Sequence, residues 1–200
     1  MKKGDAPVSL AKTAGVTARM TWSSDTDYDL LAVVLRANGA VEYVATFGAS
    51  GFPARLSTAD GAVKHLGNVG REAHGLAEEV IEITLNPSIR AVVPVAYSAQ
   101  SNGPGSFYRY RVSLEIDNGA AGDRIVIAAE NANDDDQIYS CVPGMIENTQ
   151  EAVVIHALEQ YSQRGSEFRP TVALVRDGLP HEAAETIEVA MDAGPVNDWK

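Results

Sequence analysis

Three carboxylates stand at alternate positions in the short run Asp25-Thr26-Asp27-Tyr28-Asp29. In an extended segment alternate side chains point to the same side, so these charges repel one another unless something neutralises them. A hard divalent cation would do so, since Ca²⁺ takes about six to eight oxygen ligands from carboxylates and carbonyls. The alternative is a solvated acidic loop that keeps a strand end soluble, and spacing alone favours that alternative.

A second set of candidate oxygen ligands lies in the glycine-containing segment over residues 60–79. Its glycines let backbone carbonyls turn inward. The side-chain oxygens belong to Asp60, Asn68, Glu78 and Glu79. These residue types are common in any loop, so by itself the segment is weak evidence for a metal site.

Residues that could support catalysis are few. The histidines, which are His65, His74, His156 and His181, show no HxH or HExxH spacing of the kind that binds zinc. Cys141 lies in an apolar context, where a buried and inert thiol is expected. The sequence contains neither a GxSxG motif nor a phosphate-binding loop. We therefore expect that the protein is not an enzyme.

Alternation of apolar and polar residues is the main pattern that could position these groups. It places apolar side chains on one face of a strand and polar ones on the other. The alternating segments are 16–22, 41–47, 81–85, 108–116 and 187–191. Two uniformly apolar runs, 30–35 and 91–97, predict strands that are buried on both faces.

Tight-turn dipeptides separate several of these segments, including Asn38-Gly39 and Asn118-Gly119. Residues 152–162 fit either a helix or a strand, and we favour the strand. Two long segments, 48–78 and 130–150, resist strand assignment and are expected to be largely loops, the second with a polar turn over 131–136. The pattern predicts an all-β fold: one antiparallel β-sandwich domain over residues 1–200, with two sheets and about ten strands.

The charge balance narrows the classes of partner. The chain carries 27 acidic and 16 basic side chains, a formal net charge of −11. This argues against nucleic acid, which needs clustered Lys and Arg, and favours cations or basic partners. Apolar stretches fall well short of the ~18 residues that span a bilayer, and no secretory signal is visible. We expect a cytoplasmic protein that is not an integral membrane protein.

The order of these features resembles the TerD-type family of bacterial tellurium-resistance and stress proteins. A strand ending at Trp22 leads to the paired aspartates Asp27 and Asp29. The family's D-G-x-V-x-H-x-G segment is matched by Asp60-Gly61-Ala62-Val63-Lys64-His65-Leu66-Gly67. The resemblance covers essentially the whole chain, but it is specific over residues 22–82 and loose from 117 onward.

Membership of this family implies a β-sandwich that binds Ca²⁺ at one end through acidic loops and has a non-catalytic role in tellurite and general stress tolerance. The implied ligands are Asp27, Asp29, Asp60, Asn68, Glu78 and Glu79. In family members that are rich in calcium ligands, the segment after the motif is more acidic. In this chain Asn68 stands where that segment has its first Asp, and Gly75 and Ala77 stand in place of two later acidic residues. Fewer carboxylates predict weaker Ca²⁺ binding, typical of a divergent member.

Three hypotheses follow. The first is a non-enzymatic stress-response protein that is implicated in tellurite resistance and binds Ca²⁺ weakly. The second keeps the fold without the metal, as an interaction module with protein partners in a membrane-associated stress complex. The third is a thiol protein that reduces tellurite through Cys141, which a single unpartnered thiol makes a poor hypothesis.

Overall fold

A computed structural model of the protein describes residues 1–67, 75–98, 106–120, 124–132, 134–177 and 184–198. Within these residues the regular secondary structure consists of β-strands. In chain order they are β1 (Val8–Ala11), β2 (Gly15–Ser23), β3 (Asp29–Arg36), β4 (Val41–Ala45), β5 (Val63–His65), β6 (Leu76–Thr84), β7 (Ile89–Tyr97), β8 (Ser113–Asp117), β9 (Arg124–Ala128), β10 (Ser140–Asn148), β11 (Ala152–Tyr161), β12 (Thr171–Asp177) and β13 (Ala184–Ala190). Within these residues no helix is long and apolar enough to cross a bilayer.

Two antiparallel sheets face each other. The six-stranded sheet has the order β1-β11-β10-β7-β3-β4, and the five-stranded sheet has the order β5-β6-β2-β8-β9. β12 and β13 form a separate two-stranded sheet. The predicted antiparallel all-β sandwich is confirmed, but the described residues hold thirteen strands in three sheets rather than about ten in two.

The apolar residues form two cores, one on each face of the six-stranded sheet. The inner core lies between the two large sheets and includes Trp22, Leu30 and Leu114. The outer core lies on the opposite face and includes Leu31, Val93 and, from the β12–β13 hairpin, Val172 and Val189. β3 is therefore buried on both faces, as its uniformly apolar sequence predicts.

β2 shows how alternation sets a face. Val16, Ala18, Met20 and Trp22 are all buried, whereas the residues between them are half-buried. Its neighbour β8 is shorter than predicted, because the strand expected over 108–116 begins only at Ser113. Residues 107–111 instead form turns, with Arg111 at a φ of 53°. Tyr108 points to solvent, and Tyr110 packs edge-on against the buried ring of Tyr28.

The expectation that 130–150 is largely loop is wrong, because β10 occupies residues 140–148 and is central in the six-stranded sheet. Pro143 and Gly144 hide the strand pattern, and the β10–β11 register shifts between Val142 and Gly144. A Cβ on Gly144 would lie 2.5 Å from Ile127 Cδ1 and 2.7 Å from the His156 carbonyl oxygen, so glycine is required there. The neighbouring segment 152–162 is a strand, as predicted.

Candidate functional site

The acidic run between β2 and β3 reaches from solvent into the core. Asp25 is exposed, Asp27 is half-buried, and Asp29, the first residue of β3, is fully buried. Asp29 lies opposite Tyr97 of β7 in the sheet register. Because it is two residues before Leu31, its side chain points toward the outer core rather than between the sheets.

Side chains of the five-stranded sheet bind the backbone of Leu30. The β3–β4 register begins only at Leu31, which pairs with Ala45. At Leu30 the backbone N–H donates to Glu79 Oε2 at 2.6 Å, and His65 Nε2 lies 2.9 Å from the carbonyl oxygen. Two buried side chains thus take the place of a neighbouring strand, in line with the rule that buried backbone polar groups find partners.

His65 has both ring nitrogens engaged. The Gly67 N–H donates to Nδ1 at 3.0 Å, so the hydrogen bonds place the ring proton on Nε2. Nε2–H is then shared between the Leu30 carbonyl and Glu79 Oε2, which is 3.2 Å away. The side chains of His65 and Glu79 are both fully buried. This contact explains why a histidine stands in the motif, a role that its spacing alone did not reveal.

Glu78 and Glu79 point to opposite faces of β6, since successive strand side chains alternate. Glu79 turns inward to Leu30, whereas Glu78 accepts a hydrogen bond from Arg19 Nη1 at 2.6 Å. The Arg19 and Glu78 side chains are each more than a third exposed. The two glutamates therefore do not converge on one point.

Asp60 lies at the other end of β3. Arg36 donates to its carboxylate from Nη1 at 2.9 Å and from Nη2 at 3.0 Å, and the Thr58 hydroxyl donates at 2.7 Å. The Arg36 guanidinium, followed by the Thr58 hydroxyl, holds the pKa of Asp60 far below its ordinary value. At about 3.3 Å per residue, Arg36 lies about 20 Å along β3 from Leu30. The structure therefore does not bring Asp60 to the acidic run.

The six predicted ligands thus separate into different places. Asp27, Asp29 and Glu79 lie at the same end of β3, Glu78 points away from it, Asp60 is at the far end, and Asn68 is outside the described residues. Across the described ranges, no group of three or more His, Cys, Asp or Glu side chains is arranged to hold a metal ion. One feature still suits a cation: Glu79 Oε1 is buried and has no hydrogen-bond partner among the described residues.

Arg36 is the residue whose importance sequence reasoning missed. It is 8% exposed and, besides Asp60, it donates to Glu42 Oε1 at 2.5 Å and to the Ser88 hydroxyl at 3.0 Å. The only sequence signal was an arginine at the end of an apolar run, just before the Asn38-Gly39 turn. Nothing in that signal indicates which carboxylates the chain brings to it.

The remaining residues that were considered for catalysis are Cys141 and the histidines His74, His156 and His181. Cys141 is fully buried in the inner core, and burial raises the pKa of its thiol, so the thiolate is disfavoured. His156 Nε2 lies 2.8 Å from Glu147 Oε2, and Arg90 pairs with the same carboxylate at 3.1 Å. His74 and His181 lie outside the described residues.

Comparison with solved structures identifies a similar fold. A homologue of the telluride resistance protein TerD from Streptomyces coelicolor A3(2) aligns with 16% identity and a TM-score of 0.55, covering 74% of this chain and 89% of that chain. A second crystal structure, of a protein of unknown function, aligns with 17% identity and a TM-score of 0.49, covering 74% and 91%. No protein-family model matches the chain, and no curated protein does. The protein therefore has a TerD-like fold.

Proposed function

We propose that the protein is a non-enzymatic bacterial stress-response protein, implicated in tellurite resistance, that binds Ca²⁺ weakly at the end of the sandwich where Asp27, Asp29 and Glu79 lie. The TerD-like fold supports this proposal at the level of architecture. The motif residues support it at the level of the chain, because the paired aspartates and the D-G-x-V-x-H-x-G segment occur in the order that the resemblance predicts.

The observation that carries the calcium proposal is the carboxylate of Glu79. One of its oxygens accepts the Leu30 N–H, and the other is buried without a hydrogen-bond partner in the described part of the chain. A buried carboxylate oxygen is costly unless a cation or a donor compensates it. Calcium would supply that compensation, since carboxylate oxygen is its preferred ligand.

The same geometry supports weak rather than strong binding. Asp60 is fully engaged with Arg36 and Thr58, and Glu78 is engaged with Arg19. The carboxylates of Asp27, Asp29 and Glu79 alone therefore fall short of the about six to eight oxygens that Ca²⁺ takes. Backbone carbonyls and water would have to complete the shell, and calcium affinity falls as the number of charged ligands falls.

Calcium titration by isothermal calorimetry on chelator-stripped protein tests the proposal. We expect binding weaker than micromolar, together with a rise in melting temperature, because a ligand selective for the native state stabilises it. The variants Glu79→Gln and Asp27→Asn/Asp29→Asn should abolish the calcium-induced rise. Asp60→Asn is the matched control, since it removes a charge at the opposite end of β3 and should leave the rise unchanged. A response that survives in the first two variants would place the metal elsewhere.

A metal-free interaction module in a membrane-associated stress complex is the second candidate. It is favoured by the engagement of Asp60 and Glu78 in internal or surface ion pairs, which removes two predicted ligands. The absence of any heat of binding in the calorimetric titration, up to millimolar Ca²⁺, would favour this candidate. The purified protein should then co-sediment with membranes from its bacterial host, and loss of sedimentation after detergent treatment would identify membrane association.

The thiol hypothesis has a simple test in cells. Because Cys141 is sealed in the inner core, Cys141→Ala should leave tellurite tolerance unchanged. If cells that carry Cys141→Ala became sensitive to tellurite, the buried thiol would have to react with tellurite. That result would contradict a non-enzymatic role.

A further inference from the structure

Residues 163–177 and 184–198, which we call the C-terminal cover, lie against the outer face of the six-stranded sheet. Val172 and Val189 of the cover share the outer core with Val33 and Val93 of the sheet. The cover strands β12 and β13 pair with each other and with neither large sheet. Side chains, rather than sheet hydrogen bonds, therefore provide most of the attachment.

Backbone bonds between the cover and the rest of the described chain are few and lie near its ends. Ser50 N donates to the Val196 carbonyl at 2.8 Å, Asp198 N donates to the Gly48 carbonyl at 3.0 Å, and Gly165 N donates to the Gln137 carbonyl at 2.7 Å. A two-stranded hairpin is at best marginally stable alone, so β12 and β13 depend on the sheet beneath them.

Arg169 is the most deeply buried charged group of the cover, only 1% exposed, and it is a polar attachment beside the hydrogen bond that the Tyr97 hydroxyl donates to Glu167 Oε2. Arg169 donates from Nη2 to the carbonyls of Phe47 and Gly48, outside the cover, both at 3.0 Å. Within the cover it donates from Nε to Asn197 Oδ1 at 2.6 Å. Its guanidinium also lies 4.9 Å from the centre of the Phe47 ring. These acceptors are neutral, and burial lowers the pKa of Arg169 to about 10. Such a group holds the cover in place at a cost, because removing a cation from water is unfavourable even where hydrogen-bond acceptors surround it.

The cover and the sheet beneath it also contain buried polar atoms that lack hydrogen-bond partners among the described residues. They include the hydroxyl oxygen of Ser140, Glu167 Oε1 and Asp192 Oδ1. Each buried polar atom that lacks a partner raises the free energy of the closed arrangement. Segments with few stabilising contacts are the ones that open locally before the whole domain unfolds.

We propose that the C-terminal cover opens as a unit from the outer face of the six-stranded sheet, with Arg169 as the latch that holds it closed. Opening exposes the aliphatic outer face of β3 and β7, including Leu31, Val33 and Val93, while the inner core stays closed. This inference is independent of the proposed calcium site.

Thiol labelling can separate opening of the cover from global unfolding. Val93→Cys places a thiol on the outer face, where Val93 is fully buried, and Cys141 reports on the inner core in the same molecule. We expect a maleimide to label residue 93 at least tenfold faster than Cys141, as read by mass spectrometry of the peptides. Equal labelling rates would overturn the proposal, because both thiols would then depend on global unfolding.

The latch is tested by adding Arg169→Met, which removes the hydrogen bonds from Arg169 Nη2 to the Phe47 and Gly48 carbonyls. Labelling at residue 93 should become at least tenfold faster, whereas labelling at Cys141 should change much less. Arg36→Met in the same Val93→Cys background is the matched control, since Arg36 is a buried arginine that bonds outside the cover. An equal change in the ratio of the two rates for both variants would overturn the assignment of Arg169 as the latch.

Discussion

Carboxylate side chains lie at both ends of β3, but their partners differ between the two ends. At the Arg36 end the carboxylates of Asp60 and Glu42 contact a guanidinium. At the Leu30 end the carboxylate of Glu79 is fully buried, and its partners are a backbone N–H and a histidine.

This difference separates structural acids from candidate ligands. A carboxylate already neutralised by arginine gains little from a metal ion, so Asp60 is a poor ligand despite its place in the motif. A buried carboxylate beside neutral donors keeps one oxygen available, as Glu79 Oε1 shows. Motif position alone cannot distinguish the two, because the distinction depends on which basic side chain folds against each acid.

The largest expected effect comes from removing the cation at the Arg36 end. Arg36→Met leaves Asp60 and Glu42 without their shared counter-charge and should lower the free energy of unfolding by about 2–3 kcal/mol, measured by chemical denaturation. Its control is Arg19→Met, which breaks the more exposed pair with Glu78 and should cost less than about 1 kcal/mol. If both variants lost the same unfolding free energy, the Arg36 network would stabilise the protein no more than the exposed Arg19–Glu78 pair does.

A smaller effect is expected at the Leu30 end. Glu79→Ala leaves the buried Leu30 N–H without its acceptor and should cost about 1–3 kcal/mol of unfolding free energy. Glu79→Gln keeps a carbonyl oxygen at that position and should cost less, as measured by the same denaturation experiment. If the glutamine variant is the less stable of the two, the carboxylate charge rather than the hydrogen bond is what matters there.

The smallest effect, a pH dependence, concerns Asp60. The folded protein holds the pKa of Asp60 below its ordinary value of 3.8, chiefly through Arg36. A lowered folded pKa stabilises the protein above the ordinary value, and this stabilisation is lost as the pH falls below it. The difference in unfolding free energy between the wild type and Asp60→Asn should thus be constant near neutral pH and shrink below about pH 4. Because the Asp60 side chain is 38% exposed, we expect the difference to be modest. A difference that grows on acidification would contradict the assigned role of Arg36.

Much of the fold could be predicted because burial follows alternation where a strand is regular. Leu114 is fully buried on the face that the period-two pattern assigns to it. The pattern failed where backbone geometry changes inside a segment: Arg111 has a positive φ before β8, and the register shifts next to Gly144 in β10. Alternation in the sequence carries no information about either event.

Less of the candidate site could be predicted. The sequence places Asp27 and Asp29 at a strand entrance, and the structure agrees. It cannot reveal that Glu78 and Glu79 face opposite ways until the strand is identified, nor that Leu30 needs side-chain partners because the β3–β4 register starts one residue later. These facts depend on long-range pairing, which local composition does not encode.

The bonds at the two ends of β3 also have a mechanical consequence. Asp60 lies shortly before β5, in the other sheet, and His65 is the last residue of that strand. Their side chains bind β3 at Arg36 and at Leu30. A single attachment would let the two sheets rotate about it. Two attachments about 20 Å apart oppose both rotation and sliding of one sheet against the other. Along this side of the molecule the two large sheets should therefore move as one rigid body.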